Sequence, residues 1–343
     1  MKKTISHNLP TLSEREVEAL SIVVSSNWIA EGEKVTQLEK KMAALHNVPE
    51  RCAIAVSSGS AALYLALISA DARGKRIALP AYSCASLENA VLLAGGRPVY
   101  LDTVKNGVHV QPYNSDNFDI LIAPHMFGFP MKIPRNLQHR TIEDCAQAIG
   151  SQVDGEMVGT QSGLSIFSFY ATKMLTTSGQ GGMVIAKDMR VAEYIRDFIH
   201  FDCKSDGRRR FNFLMTDIQA AMGVVQLDRL FKEFIPRREA IYKSYVEAGL
   251  DMFNLTDQNI VPVRYRALYK TENPERIVAK LAQLDIDAII PIEKSEILGG
   301  CLDDFPNSID NTKRFVSLPC YPSLSDFEVD KVISAIKEIE SNC

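Results

Sequence analysis

Short apolar runs alternate, through the first half of the chain, with stretches whose apolar positions recur every three or four residues. That rhythm predicts βαβ units wound into an α/β domain with a mostly parallel sheet. Strands are expected at 52–56, 76–79, 98–101, 119–123, 140–142, 164–168 and 183–186. Helices at 61–70 and up to Ala94, the latter stopped by Gly95-Gly96, fall between them and would cover both sheet faces. Ser13 with Glu16 three residues later marks a helix start. Ile218, Met222, Val225 and Leu230 predict a long helix over 217–234, which Pro236 is expected to interrupt. A strand near 261–265, a helix near 274–284, a strand near 288–291 and a closing helix at 325–341 predict a smaller C-terminal α/β domain. The expected division is a large domain at 1–235 and a small one at 236–343.

Composition narrows the class. At 343 residues the chain exceeds what one core usually supports, and 46% hydrophobic with 23% charged residues is an ordinary globular balance. A net charge of -4 lacks the basic footprint of a nucleic-acid binder. The start reads as having no signal peptide, and no apolar stretch is long enough to span a membrane. Seven cysteines, from Cys52 to Cys343 and without a CxxC pair, read as small buried hydrophobes, with no disulfide frame and no metal site. That usage points to the cytoplasm.

The candidate chemistry lies at the ends of the expected strands. Ser57-Ser58-Gly59-Ser60 stands at a strand-to-helix junction, where unpaired amides and the helix dipole favour an anion and Gly59 lets backbone approach a phosphate. The same cluster also suits a plain helix cap. Asp144 follows Thr141-Ile142-Glu143, near the carboxyl end of a strand, where α/β proteins bind ligands. It fits either a cap for a short helix beginning at Cys145 or a carboxylate that keeps a pyridine nitrogen protonated, with Gln147 beside the ring. Lys173 comes after the apolar strand Ile166-Phe167-Ser168-Phe169, which would deliver it to a buried site, although most lysines are solvated. Ser168 adds a phosphate donor, and Gly179-Gln180-Gly181-Gly182 makes either a close-approach turn or a simple hairpin. An amine, an acid and a phosphate cradle in this order are what pyridoxal 5'-phosphate requires. His125 suits a site residue or a satisfied core imidazole; Arg208-Arg209-Arg210 suits a diphosphate clamp or a solvated loop.

The order of these motifs resembles the pyridoxal-phosphate-dependent sugar aminotransferase family of DegT type, which has the aspartate aminotransferase fold (fold type I). The likeness runs from Asn27-Trp28-Ile29-Ala30-Glu31-Gly32 through Ser57-Ser58-Gly59-Ser60, Leu79-Pro80-Ala81-Tyr82-Ser83 and Pro124-His125-Met126-Phe127-Gly128. It continues through Glu143-Asp144-Cys145-Ala146-Gln147, Phe167-Ser168-Phe169, Lys173 and Phe211-Asn212-Phe213 to Met215-Thr216-Asp217. The resemblance implies that Lys173 is the Schiff-base lysine, Asp144 the partner of the pyridine nitrogen and Gln147 the residue beside the ring. Ser168, Ser58, Gly59 and Ser60 match phosphate contacts. Asn212 matches a residue that reaches the phosphate in the neighbouring subunit, which implies a homodimer with shared sites. Family members move an amino group, commonly from glutamate, to a keto group on a nucleotide-linked sugar, as in polysaccharide biosynthesis.

The chain departs from that pattern at particular positions. Cys84 stands where the family has a ring-stacking aromatic residue, and Tyr82 is expected to compensate. Leu214 replaces an arginine, and the family's His-Tyr segment is not recognisable at 290–301. An aminotransferase is the leading expectation. A cofactor-binding relative without turnover is the alternative, and a sugar dehydratase, which has histidine for the lysine, is disfavoured by Lys173.

Overall fold

The structure, a computed structural model, describes residues 4–110 and 117–341. The Met1-Lys2-Lys3 start and Cys343 lie outside the described residues. Helix α1 (Glu14–Ser25) carries the reciprocal cap that its sequence predicts, with the Glu16 carboxylate accepting from the Ser13 amide at 2.8 Å. Glu16 is buried and also accepts from Arg229 at 2.7 Å, so the cap fastens α1 to a helix two hundred residues away in sequence. Helix α2 (Glu33–Leu45) buries Val35, Leu38 and Met42, three and four residues apart.

The main sheet is built from β1 (Ala53–Val56), β2 (Arg76–Pro80), β3 (Arg97–Leu101), β4 (Ile120–Pro124) and β5 (Thr141–Asp144). After the short hairpin β6 (Gln152–Val153) and β7 (Glu156–Met157), β8 (Leu164–Ser168) and β9 (Gly182–Ala186) complete it. Its order is β1-β9-β8-β5-β4-β2-β3. All neighbours are parallel except β9, which runs antiparallel to both β1 and β8. Alternation along the strands separates two cores. Ile54, Val56, Ile77, Ile122 and Val184 pack with residues of α3 (Gly59–Ser69), α4 (Ser86–Leu93) and α5 (Met189–Ile199). Ala53, Ala55, Phe167 and Met183 pack with Leu38 and Met42 of α2 and with Ala220 and Val224 of α6 (Asp217–Arg229). Both faces are covered, as the unbroken apolar strands predict.

Three expectations need correction. Pro236 does not break the helical path. It sits in the first turn of α7 (Ile235–Glu247), which α6 reaches through a π-turn at Leu230–Phe234. The wider turn accommodates a residue that has no amide to donate and whose ring crowds the preceding turn. The strand expected at 261–265 is shifted. Only β10 (Ile260–Val261) pairs there, with β6, and the main strand is β11 (Ala267–Lys270). Pro262 offers no amide, Arg264 has a left-handed φ of 52°, and Val263 and Arg266 bond instead to Gly128 and Phe127. Near 288–291 only Ile289 bridges, to Ser317.

Helices α8 (Pro274–Gln283), α9 (Pro306–Thr312) and α10 (Asp326–Ser341) flank β11 and its antiparallel partner β12 (Phe315–Leu318). Their core joins Tyr245, Tyr269, Leu281, Val316 and Val332, and Ile5 from the N-terminal segment enters it. Among the described residues, Cys52, Cys145 and Cys320 are buried, whereas Cys84, Cys203 and Cys301 are exposed, so burial does not explain every thiol. No helix among the described residues is long and apolar enough to cross a membrane.

Gly182 pairs with both Val56 and Ser168, and a Cβ there would lie 2.3 Å from the Ser58 carbonyl oxygen. Gly182→Ala is therefore expected to cost about 1–3 kcal/mol. Gly163→Ala, where a Cβ meets nothing within 4 Å, should stay within about 0.5 kcal/mol of the parent. Thermal melts compare the two; equal midpoints would contradict the close packing.

Candidate active site

The carboxyl ends of β1, β4, β5 and β8 open on one cavity of about 260 Å³. Ser58, Gly59, Ser60 and Ser168 line one end, and Asp144, Gln147, Lys173 and His125 line another part of the wall. Strand register produces this grouping. Pro124, Asp144 and Ile166 stand side by side on three parallel strands, and Ser168 extends the level toward Gly182 and Val56.

At the serine end, Ser58 is the N-cap of α3, its hydroxyl accepting from the Ala61 amide at 3.1 Å. The capping reading is correct and compatible with anion binding, because the Gly59 and Ser60 amides belong to a first turn without intrahelical acceptors. Gly59 is required by contact: a Cβ would sit 2.8 Å from the Ser168 hydroxyl oxygen. The glycine turn 179–182 has a comparable cause. Gly181 and Gly182 make room for Thr177 and for the Ser58-Gly59 backbone.

At the acid end, Asp144 is 7% exposed, and its Oδ1 accepts from the Ala146 amide at 2.9 Å. Burial pushes its carboxyl above the ordinary range, although that amide and the Lys173 charge oppose the shift. A cationic partner in the cavity would supply the opposite charge that burial calls for. The Gln147 Oε1 accepts from the Phe127 amide at 2.6 Å, which fixes the side chain at the wall. Lys173 Nζ lies 5.3 Å from the centre of the Tyr265 ring.

Behind this wall, Glu143 is completely buried and accepts from the amides of Gly159 at 2.8 Å and Ser162 at 2.7 Å. His125 accepts from the Met131 amide on Nδ1, so its other nitrogen is the one placed to donate to Glu143, at 3.3 Å. His125 is thus both a cavity residue and a satisfied core imidazole. His125, Glu143 and Cys145 cluster closely enough to suggest a metal set, but amide donors already occupy the first two and burial raises the Cys145 thiol. Hydrogen bonds satisfy this cluster.

The model of the DegT/DnrJ/EryC1/StrS aminotransferase family matches residues 10–337. The chain belongs to that family. It is 28% identical to the spore coat polysaccharide biosynthesis protein SpsC of Bacillus subtilis, over 98% of this chain and 97% of that protein. It is 27% identical to GDP-perosamine synthase of Escherichia coli O157:H7, over 97% and 98% of the two lengths. Among solved structures, the aminotransferase TlmJ of Streptoalloteichus hindustanus superposes with a TM-score of 0.87 at 24% identity, covering 98% of this chain and 99% of that one. The fold is that of the fold type I aminotransferases.

As a member of this family the protein is a pyridoxal-phosphate-dependent aminotransferase. The cavity fits the cofactor in donor chemistry: first-turn amides and Ser168 for a phosphate, a buried carboxylate in want of a cation, and a lysine. One residue expected on this cavity lies elsewhere. Tyr82 is not on the cavity wall; it is fully buried, edge-on to Phe127, and its hydroxyl has no hydrogen-bond partner among the described residues. Cys84, two residues on, is exposed and lines the cavity at the position the resemblance gives to a stacking aromatic residue. Asn212 is exposed, its Oδ1 accepting from the Leu214 amide, and it is outside this cavity. Arg210 is paired with Asp197 and Asp206, and Arg208 with Asp206, so this loop is an ion-paired surface cluster.

Sequence reasoning gave no site role to Tyr170 and Gln180, which line the cavity, to Glu143 behind its wall, or to Tyr265 beside Lys173. An acid inside a strand of otherwise buried residues was a usable signal for Glu143. Nothing local marked Tyr265, which arrives from the far half of the chain.

His125 and the two amides outweigh desolvation and hold the Glu143 carboxyl below its ordinary value. A depressed carboxyl contributes stability above the ordinary value of 4.5 and loses it as pH falls through the lower folded value. Glu143→Gln is expected to cost roughly 2–3 kcal/mol at neutral pH. It should also flatten the acid limb of stability. Melts across pH test this, and parallel acid limbs for the two proteins would contradict it.

Proposed function

We propose that this aminotransferase moves an amino group from an amino acid, with glutamate the first candidate, to a keto group on a nucleotide-linked sugar. Polysaccharide biosynthesis in the cytoplasm is the setting this reading favours. Support comes from the family and from the relatives SpsC and GDP-perosamine synthase, whose names concern a coat polysaccharide and a nucleotide-linked sugar. The observation that carries the site assignment is the convergence of Lys173, Asp144 and the α3 first turn on one cavity.

When bound, pyridoxal phosphate supplies an electron sink for the bonds at the reacting carbon. The protein supplies the rest. Lys173 Nζ would hold the group and, once free of it, would be the base placed to take and return the proton at the substrate carbon. Asp144 holds the ring nitrogen protonated, and Gln147, locked by the Phe127 amide, orients the ring edge. Ser58, Gly59, Ser60 and Ser168 hold the phosphate through amides and hydroxyls.

The reading includes a homodimer in which Asn212 serves the neighbouring subunit's site. Its exposure outside its own cavity supports this, as do exposed Trp28, Ile29 and Phe211 on segments joined by the Glu31–His200 pair. The large unit at 1–235 would then provide the cofactor site and the unit at 236–343 its cover.

Purified protein supplied with pyridoxal phosphate and glutamate is expected to release 2-oxoglutarate once per site, and repeatedly when a keto-sugar nucleotide is added. Coupled detection of 2-oxoglutarate and mass analysis of the sugar measure both. Asp144→Ala should lower turnover at least 100-fold, in the range of a lost charge partner and acid–base function. Release with glutamate but no amination of any keto-sugar nucleotide would contradict the acceptor class. No oxo-acid from any amino donor would contradict turnover.

A further inference from the structure

Tyr265 stands beside Lys173 without lining the cavity, and it is held more firmly than its place in a loop would require. Its backbone follows Arg264, which has a φ of 52°, and the segment is bonded on one side to Phe127 and Gly128. Gly128, with φ 84°, has no side chain to separate the strands; a Cβ there would be 2.6 Å from the Tyr265 amide nitrogen. On another side the fully buried Arg238 of α7 donates to the Tyr265 carbonyl at 3.2 Å and to that of Arg264 at 3.4 Å. The Tyr265 hydroxyl shares a hydrogen bond with the side chain of Thr172, the residue before Lys173. Asn8 donates to the Thr172 carbonyl at 2.9 Å. The Tyr265 backbone is therefore held from the 127–128 turn and from α7, its hydroxyl is held by Thr172, and Lys173 Nζ lies 5.3 Å from the ring centre.

We propose that Tyr265 is a positioning residue for Lys173: its ring seats the ε-ammonium at the cavity wall whenever the amine is not bonded to the cofactor. This rests on the reading of Lys173 as the reactive amine. A ring face attracts a cation with roughly 0.5–2 kcal/mol. Lys173 would otherwise have a flexible four-carbon stem to place, so a fixed ring also restricts where Nζ goes. The charged groups facing the pair are Asp144 from β5, Arg266 at 5.4 Å from the ring centre, and Arg238 from α7; His7 is bonded to Arg266 at 3.1 Å. Burial pushes the Tyr265 hydroxyl up, but the Lys173 and Arg266 charges and the Thr172 bond leave it below the ordinary phenol range. Burial and Arg266 push His7 down to about 3, so it is neutral where the reaction would run and does not compete.

The test is the rate at which Lys173 reacts with added pyridoxal phosphate, followed by the visible absorbance band across pH. Tyr265→Phe, which keeps a ring face, should keep the midpoint of the rate–pH profile near that of the parent. Tyr265→Leu, which removes the attraction for the ammonium, should move the midpoint down by about 0.4–1.5 pH units, the equivalent of one cation–π contact. Should the Leu variant fail to fold in a thermal melt, Tyr265→pentafluorophenylalanine keeps the shape, reverses the ring's charge distribution and should move the midpoint in the same direction. Unmoved midpoints in a folded Leu or fluorinated variant overturn the proposal. Lys173→Ala is run in parallel: a band that survives it overturns the assignment of Lys173 itself, a result distinguishable from failure of the Tyr265 role.

Discussion

The cavity exists because backbone meets backbone where β1 ends and α3 begins. Ser58 and Gly59 lie over Gly182, and Gly59 lies against Ser168, at distances that leave no room for a Cβ at either glycine. With this contact in place, the α3 first turn, the Ser168 hydroxyl and the ends of the parallel strands share one level. The antiparallel insertion of β9 between β1 and β8 is what brings Gly182 under the turn. A side chain there would push the helix start away from the strand ends and separate the anion end of the cavity from the acid end.

A second contact connects the C-terminal half to this arrangement. Phe127 and Gly128, both in left-handed conformation, present two carbonyls to the 263–266 segment, while the Phe127 amide holds Gln147. One short turn thus fixes a wall residue and also the ring beside Lys173. Glu143 plays the corresponding part underneath, gathering amides from the 159–162 loop and facing His125 of the cavity wall. Gln147 and His125 on the cavity wall are each oriented by a group one step further from the cavity.

Much of this was legible in the sequence where local forces decide the outcome. Strand β8 has the predicted bounds, and the other main-sheet strands agree within two residues at either end, because buried apolar runs bounded by turns report a covered strand. Ser13 and Glu16 form the cap their spacing predicts. Asp144, Gln147, Ser168 and Lys173 were legible as a group, since strand ends in a parallel sheet gather on one edge. The rest depended on distant partners. Residues 261–265 read as a strand, but Val263 bonds to a turn more than a hundred positions earlier. Pro236 read as a break but is absorbed by a π-turn. Cys84 lines the cavity at the position expected of the stacking aromatic residue, but Tyr82 is buried away from it, because composition does not reveal which way a side chain points as a strand gives way to a turn.

The central claim is that Lys173 carries the cofactor in this cavity. Borohydride reduction of the protein loaded with pyridoxal phosphate, followed by peptide mass mapping, tests it directly. A single phosphopyridoxyl mark is expected on the peptide that holds Lys173, absent from Lys173→Ala. A mark of equal yield on another lysine, or one that persists in Lys173→Ala, would contradict it.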